Sequence, residues 1–355
     1  MQIYDELKNN NYLWELFTKK EEYNSKNVDK HGRFISKSSS YKDILYPYVS
    51  DYLIKKDLLN NEYPENKNFA IVLTHDVDDI NISNQHLLRS FIPFPLNRDL
   101  LGFKPVLKER LMGKKSSYNN FKNILKLEKK YNAKSSFYFL ATEKDIFGNK
   151  YKIENILNDI FFVLDNDCEV GLHTSYYAFD KYEEIKGEKE KIEKLIKKKL
   201  KGVRNHLLRF RIPKSWEILS KVGFDYDTTF GYHDKIGFRN GICHPFKPFN
   251  ILTNKQIDII EIPLGISDVA LFSYMRKNAS ESWTLIKKLI DSTEKLNGVL
   301  TILWHNWTFC YPASFAGLFG KEWTRLYEKI LEYSNERNAW LTSGEKLSKF
   351  FSEIY

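Results

Sequence analysis

FAIVLTHDVDD, residues 69–79, starts as an apolar, β-branched run and ends in polar and acidic side chains. A short run without polar alternation is the pattern of a strand buried on both faces, as in a parallel sheet. Similar runs recur downstream, separated by stretches with helical spacing. YNNFKNILKLEKKYN (118–132) reads as a helix and KSSFYFLA (134–141) as a strand. IENILNDIFFVLDN (153–166) is again helical, and EVGLHT (169–174) is a strand. A Lys-rich amphipathic helix from Lys181, with Glu and Lys three and four apart, precedes KGVRNHLLRF (201–210). PKSWEILSKVG, with Pro213 suited to a first helical turn, precedes FDYDTTFG. IDIIEIPLGI, a helix over 280–296, GVLTILWHN, a helix near 321–336 and AWLTS complete the series. Strands alternating with helices imply βαβ units. The expectation is an α/β fold, a distorted (β/α) barrel of seven to eight parallel strands over 69–355. Residues 1–68 read as an N-terminal helical extension, and a basic insertion at about 84–117 follows the first strand.

The 355 residues are 42% hydrophobic and 28% charged, which excludes wholesale disorder. No apolar run approaches the ~20 residues that span a bilayer. The first residues, MQIYDELKNNNYLWELF, lack the basic start, apolar core and cleavage site of an export signal. Cys168, Cys243 and Cys310 lie far apart and read as small buried hydrophobes. A cytoplasmic protein is expected. The net charge of +9 is partly local: seven bases fall between Arg89 and Lys115, interleaved with large apolar residues. That stretch reads as an insertion packed on the domain. Its alternative is an interfacial element meeting the inner face of the membrane or a lipid-linked substrate. No nucleic-acid signature accompanies the bases.

In a barrel, the polar residues that end the strands form the active face. Here those ends carry Asp76 and Asp78, then His173, then Arg204 and His206, then His305. Asp76 and Asp78 are two apart, so in extended backbone they share a face. Aspartate and histidine suit zinc and similar divalent ions. One carboxylate can bind a metal while the other stays free to accept a proton. A metal with open positions would polarise a carbonyl, and a histidine could protonate a departing amine. That chemistry is amide hydrolysis.

FAIVLTHDVDD, EVGLHTSY, GVRNHLLRF, GFDYDTTFGYHDKIGFRNG, EIPLGISD and ILWHN together resemble the polysaccharide deacetylase family. This is the nodulation-protein-B homology domain, or carbohydrate esterase family four, and the likeness is to its cytoplasmic THDVD branch. The resemblance covers roughly 69–345. It implies a divalent metal, commonly zinc, and removal of N-acetyl groups from amino sugars. Carried over by position, Asp76 is the catalytic base, Asp78 and His173 are metal ligands, Arg204 holds the base, and His305 protonates the leaving group. The family's second metal histidine, four residues after the first, is Tyr177 here. His206, two residues after Arg204, is the expected replacement ligand.

Other residues keep two readings each. Arg239 in GFRNG is a candidate for binding a substrate phosphate or carboxylate, or pairs with Asp234. Trp307 is a candidate for stacking on a sugar ring, whereas Trp304 reads as core. His233 and His244 are either substrate contacts or exposed loop residues. Glu261 and Asp268 read as rim positions without a chemical step, and His75 turns away from the site. The expected function is a metal-dependent N-deacetylase acting on a nucleotide-linked, lipid-linked or soluble amino-sugar precursor of a cell-surface glycan. The competing readings are a non-catalytic glycan- or metabolite-binding barrel that lost its metal, and a peripheral membrane scaffold.

Overall fold

The computed structural model describes residues 2–80, 118–146, 148–149, 151–309 and 320–354; the basic insertion and Cys310 lie outside them. β1 (Phe69–Val77) is buried along its whole length. Its alternate residues divide between two apolar clusters. Phe69, Ile71, Leu73 and Val77 join the large core between sheet and helices. Ala70 and Val72 face the barrel interior with Tyr138, Tyr226 and Ile262. This alternation delivers the even-numbered Thr74, Asp76 and Asp78 to the interior face.

The other strands of its sheet are β2 (Ser136–Leu140), β3 (Glu169–Thr174), β4 (Gly202–Asn205), β5 (Tyr226–Asp227), β6 (Ile260–Glu261), β7 (Leu264–Ser267), β8 (Val299–Leu303) and β9 (Ala339–Thr342). They form one parallel sheet in the order β6-β5-β4-β3-β2-β1-β8-β7, with β9 also paired to β1. β9 takes the first half of one edge of β1, from Phe69 to Val72, and β2 takes the second, from Thr74 to Val77. The two ends of the sheet, β6 and β7, are consecutive stretches of chain broken only at Ile262-Pro263. Leu264 N also bonds Phe230 O at 3.2 Å, so the curled sheet returns on itself through this broken strand. The protein is therefore a distorted (β/α) barrel, as the alternation of elements implies.

Helices clothe the barrel: α4 (Phe121–Lys129), α5 (Leu157–Asp165), α6 (Tyr182–Ile196), α7 (Lys214–Val222), α8 (Ala279–Lys295) and α9 (Gly320–Glu336). α6 is the Lys-rich segment, and it buries Ile185, Ile192 and Ile196 together with Lys189, whose ammonium bonds the Gly223 carbonyl. α10 (Gly344–Ile354) closes the lower end, with Leu347 and Phe351 fully buried. Interior crowding explains Gly171. A Cβ there would meet the Tyr138 ring at 2.5 Å.

The first 68 residues are less helical than their spacing suggests. They form α1 (Gln2–Lys8), α2 (Asn11–Thr18) and α3 (Tyr48–Ile54), with short 3-10 turns and irregular chain between α2 and α3. Leu13, Leu16 and Phe17 of α2 and Val49 and Leu53 of α3 share an apolar cluster with Ile242 and Phe249. The irregular segment is ordered by long-range side-chain contacts, which local periodicity does not encode.

Candidate functional site

The interior face of β1 ends in the site. Asp78 Oδ1 lies 3.2 Å from His173 Nε2 and 3.6 Å from His206 Nε2. One ligand atom from each of Asp78, His173 and His206 lies within 4.8 Å of the others. His173 ends β3, and its Nδ1 donates to the Arg204 carbonyl at 3.0 Å. That bond leaves a lone pair on Nε2, which is buried and has no hydrogen-bond partner. Asp78 Oδ1 is likewise buried without a hydrogen bond. Two buried, unspent donors of oxygen and imidazole type facing one point fit a divalent ion.

Charge agrees with this arrangement. Burial disfavours ionised Asp78, yet His206, His173 and His305 hold its carboxyl well below the usual range. Burial also opposes charge on His173, but Asp76 and Asp78 raise it. The field that favours a proton on His173 also favours a bound cation.

His206 reaches the cluster from just beyond β4. Asn205 stays extended at φ −78° and ψ 133°, so alternation carries from Arg204 to His206. His206 then opens a 3-10 turn over His206–Leu208 instead of continuing a strand, as expected for 201–210. Tyr177, at the position where the family pattern has histidine, is 55% exposed. Its ring meets Tyr176 edge-on at 5.0 Å.

Asp76 stands beside the cluster, with Oδ2 3.8 Å from His173 Nε2. Its Oδ1 lies 3.6 Å from Arg204 Nε. Arg204 is fully buried; its Nη2 donates to Thr74 Oγ1 at 2.9 Å and Thr228 Oγ1 at 3.3 Å, and its guanidinium lies over Tyr138. His305 approaches from the far end of β8, with Nε2 3.7 Å from Asp78 Oδ2. Its Nδ1 donates to Asp268 Oδ1 at 2.7 Å, and its backbone N–H donates to Asp268 Oδ2 at 2.8 Å. Burial opposes protonation of His305, but Asp268, with Asp78 and Asp76, lifts it to about 9. The ring therefore carries a proton at neutral pH. Asp268 thus has a role that its place one residue after β7 only hinted at.

Other candidates lie elsewhere. All three guanidinium nitrogens of Arg239 are spent inside the protein: Nε donates to Glu22 at 3.0 Å, Nη2 also binds Glu22, and Nη1 donates to Gly231 O at 2.8 Å. The geometry makes Arg239 an anchor for the N-terminal segment, and Asp234 binds Ser36 instead of it. Trp307 does flank the site, its ring 5.3 Å from that of His305. Trp304 is buried against Trp323 and Tyr327. His75 points into the helical layer, donating to Trp304 O at 2.7 Å and facing Glu128 at 2.9 Å. His233 and His244 are both buried rather than loop-exposed; His244 meets Ser50 Oγ at 2.9 Å. Glu261 sits in the interior, where it accepts from Trp216 Nε1 at 2.7 Å. Cys168 and Cys243 are buried free thiols. Among the described residues, no helix is long and apolar enough to cross a membrane.

No family model matches the chain, and no curated protein matches it in sequence. A solved structure from Mycobacterium smegmatis, provisionally named a polysaccharide deacetylase, matches with a TM-score of 0.54 and 14% identity, over 82% of this chain and 93% of that one. A CE4 family pseudoenzyme from Bacillus anthracis matches at TM-score 0.41 and 14% identity, over 81% and 66%. The peptidoglycan deacetylase PdaC from Bacillus subtilis matches at TM-score 0.34 and 13% identity, over 81% and 94%. The first likeness shows a shared, deacetylase-like fold.

Proposed function

We propose that this protein is a metal-dependent hydrolase that removes an N-acetyl group from an amino sugar. Asp78, His173 and His206 hold the ion, with zinc the natural fit for one carboxylate and two imidazoles. A divalent ion held there supplies a positive charge that polarises the amide carbonyl and acidifies water. Asp76 accepts the proton from water. Arg204, 3.6 Å away, holds that carboxylate in place. His305, steadied by Asp268, gives its proton to the leaving amine. Trp307 lies beside His305, where a sugar ring would stack. The observation that carries this reading is the meeting of ligand atoms from Asp78, His173 and His206 with a carboxylate on one side and an Asp-backed imidazole on the other. The substrate is a nucleotide-linked, lipid-linked or soluble precursor of a cell-surface polysaccharide, handled in the cytoplasm.

Two measurements on the purified chain test this. After loading with zinc and desalting, elemental analysis should give one divalent ion per chain. Incubation with N-acetylated sugar nucleotides, lipid-linked sugars and short oligosaccharides should release acetate from one class, and a chelator should stop it. A chain that retains no stoichiometric metal after loading overturns the hydrolase and favours a glycan- or metabolite-binding barrel.

A further inference from the structure

Residues between α2 and α3 form a loop closed by a bridge between Val28 and Phe34 and by Asp29 N donating to Arg33 O at 2.9 Å. Asp29 Oδ1 accepts from the backbone N–H of His31 and of Arg33, at 2.9 and 3.0 Å. Its Oδ2 accepts from Arg33 Nε at 2.9 Å and Nη2 at 2.6 Å. A guanidinium gripped on two nitrogens has a fixed plane. The third nitrogen, Nη1, donates to the Leu207 carbonyl at 2.9 Å, and Nη2 also reaches the Tyr274 hydroxyl at 2.9 Å. Arg33 is 5% exposed, so water does not compete with these bonds.

Leu207 directly follows the candidate ligand His206. Its φ is +58° and that of Leu208 is +55°, two successive left-handed residues of which neither is glycine. Branched side chains adopt this conformation only where the surroundings impose it. The turn is closed by Arg209 N to His206 O at 3.3 Å. Arg209 adds a second tie, donating from Nε to His31 O at 2.9 Å with its guanidinium 3.8 Å from the Phe179 ring. The turn that carries His206 is thus tied to the N-terminal loop at two points, the Leu207 carbonyl and the Arg209 side chain.

We propose that Arg33 is a positioning residue for the metal centre: its hold on the Leu207 carbonyl maintains the left-handed turn that aims His206 at Asp78. This rests on the metal-centre reading above. Arg33 itself touches none of the three ligands, and it acts through the backbone of the next residue.

The test uses the full chain and two variants, Arg33→Met and Arg33→Met combined with Leu207→Gly. Zinc affinity is measured by calorimetry with the metal alone, and hydrogen exchange is followed across residues 203–210 in metal-free protein. Arg33→Met should weaken zinc binding by about 10–100-fold, the range for groups that orient metal ligands. It should also speed exchange at 203–210 while thermal unfolding stays cooperative. Glycine adopts positive φ freely, so Leu207→Gly in the same chain should recover most of the lost affinity. Arg33→Met with unchanged affinity and unchanged exchange overturns the proposal, as does a loss of affinity that glycine fails to restore. If the unaltered chain binds no zinc, the hydrolase reading fails, and faster exchange in Arg33→Met alone still establishes the clamp.

Discussion

His173 donates from Nδ1 to the Arg204 carbonyl, and this bond sets the chemistry of its other nitrogen. A ring so held can turn only Nε2 to the cluster, whereas a histidine with two free nitrogens could ligate through either. The two aspartates of β1 differ in the same concrete way. Asp78 points both oxygens at imidazoles, and Asp76 points one at Arg204. Asp78→Ala should therefore lose both bound metal and activity. Asp76→Asn should keep its metal and lose ~10²–10⁴-fold in turnover, the scale of one proton transfer. His305→Ala should behave like Asp76→Asn, and Asp268→Asn should fall between it and the parent. Elemental analysis beside steady-state rates separates these outcomes; Asp76→Asn with metal and a near-normal rate would sink the assignment. The residue types and spacing in HDVD pointed to two roles. Which carboxylate takes which role was borrowed from the family resemblance and rests geometrically on Arg204, a residue 128 positions from Asp76 along the chain.

At the scale of elements, β3 carries function at one end and a proton at the other. Glu169 opens β3 inside the barrel floor, where Oε2 accepts from Ser136 Oγ at 2.5 Å, Tyr226 OH at 2.7 Å and Glu345 N at 2.8 Å. Burial pushes its carboxyl up to about 7 despite the bond from Ser136. The folded state thus binds this proton more tightly than the unfolded chain, whose value is 4.5. The resulting stability is fully present below about pH 4.5 and is lost as pH rises through 7, about 3 kcal/mol in all at ~1.36 kcal/mol per unit. Glu169→Gln keeps the neutral form at every pH. Its stability relative to the parent, measured by urea unfolding, should therefore rise between pH 5 and 8; a flat difference would contradict the raised value. EVGLHT was recognisable as a strand because its length and apolar content suffice. KGVRNHLLRF places Arg204 and His206 on one strand by sequence, yet the strand stops at Asn205, and Leu207 and Leu208 turn left-handed where Arg33 bonds the Leu207 carbonyl.

Across the whole molecule, the N-terminal segment and the barrel share an apolar cluster and buried polar contacts. Arg239–Glu22 is a buried ion pair between them, and buried Lys19 donates to the Tyr232 hydroxyl at 3.2 Å. The candidate site draws on β1, on the end of β3, on the turn after β4, and on Asp268 and His305 after β7 and β8. Its ligands come together only in the folded chain, so metal binding should add to global stability. Zinc at a hundredfold excess over its dissociation constant should stabilise the protein by ~2.7 kcal/mol and raise Tm by several degrees. A chelator should reverse this, and Asp78→Ala should show no shift. A scan in which zinc moves neither protein would count against the site.

The barrel and the rim were legible in the chain itself. Apolar runs of strand length, each closed by a polar residue and followed by a helical spacing, have few other ways to bury their two faces. Those same strand ends named Asp76, Asp78, His173, Arg204, His206 and His305 as one group. Only the tertiary structure decided that Arg239 serves Glu22 and that Asp268 backs His305. It alone set the N-terminal loop against the turn of His206. These outcomes depend on pairings between residues separated by 37 to 217 positions. Hydrophobic periodicity records which face of an element is buried, but it is silent on which distant polar group will meet it there.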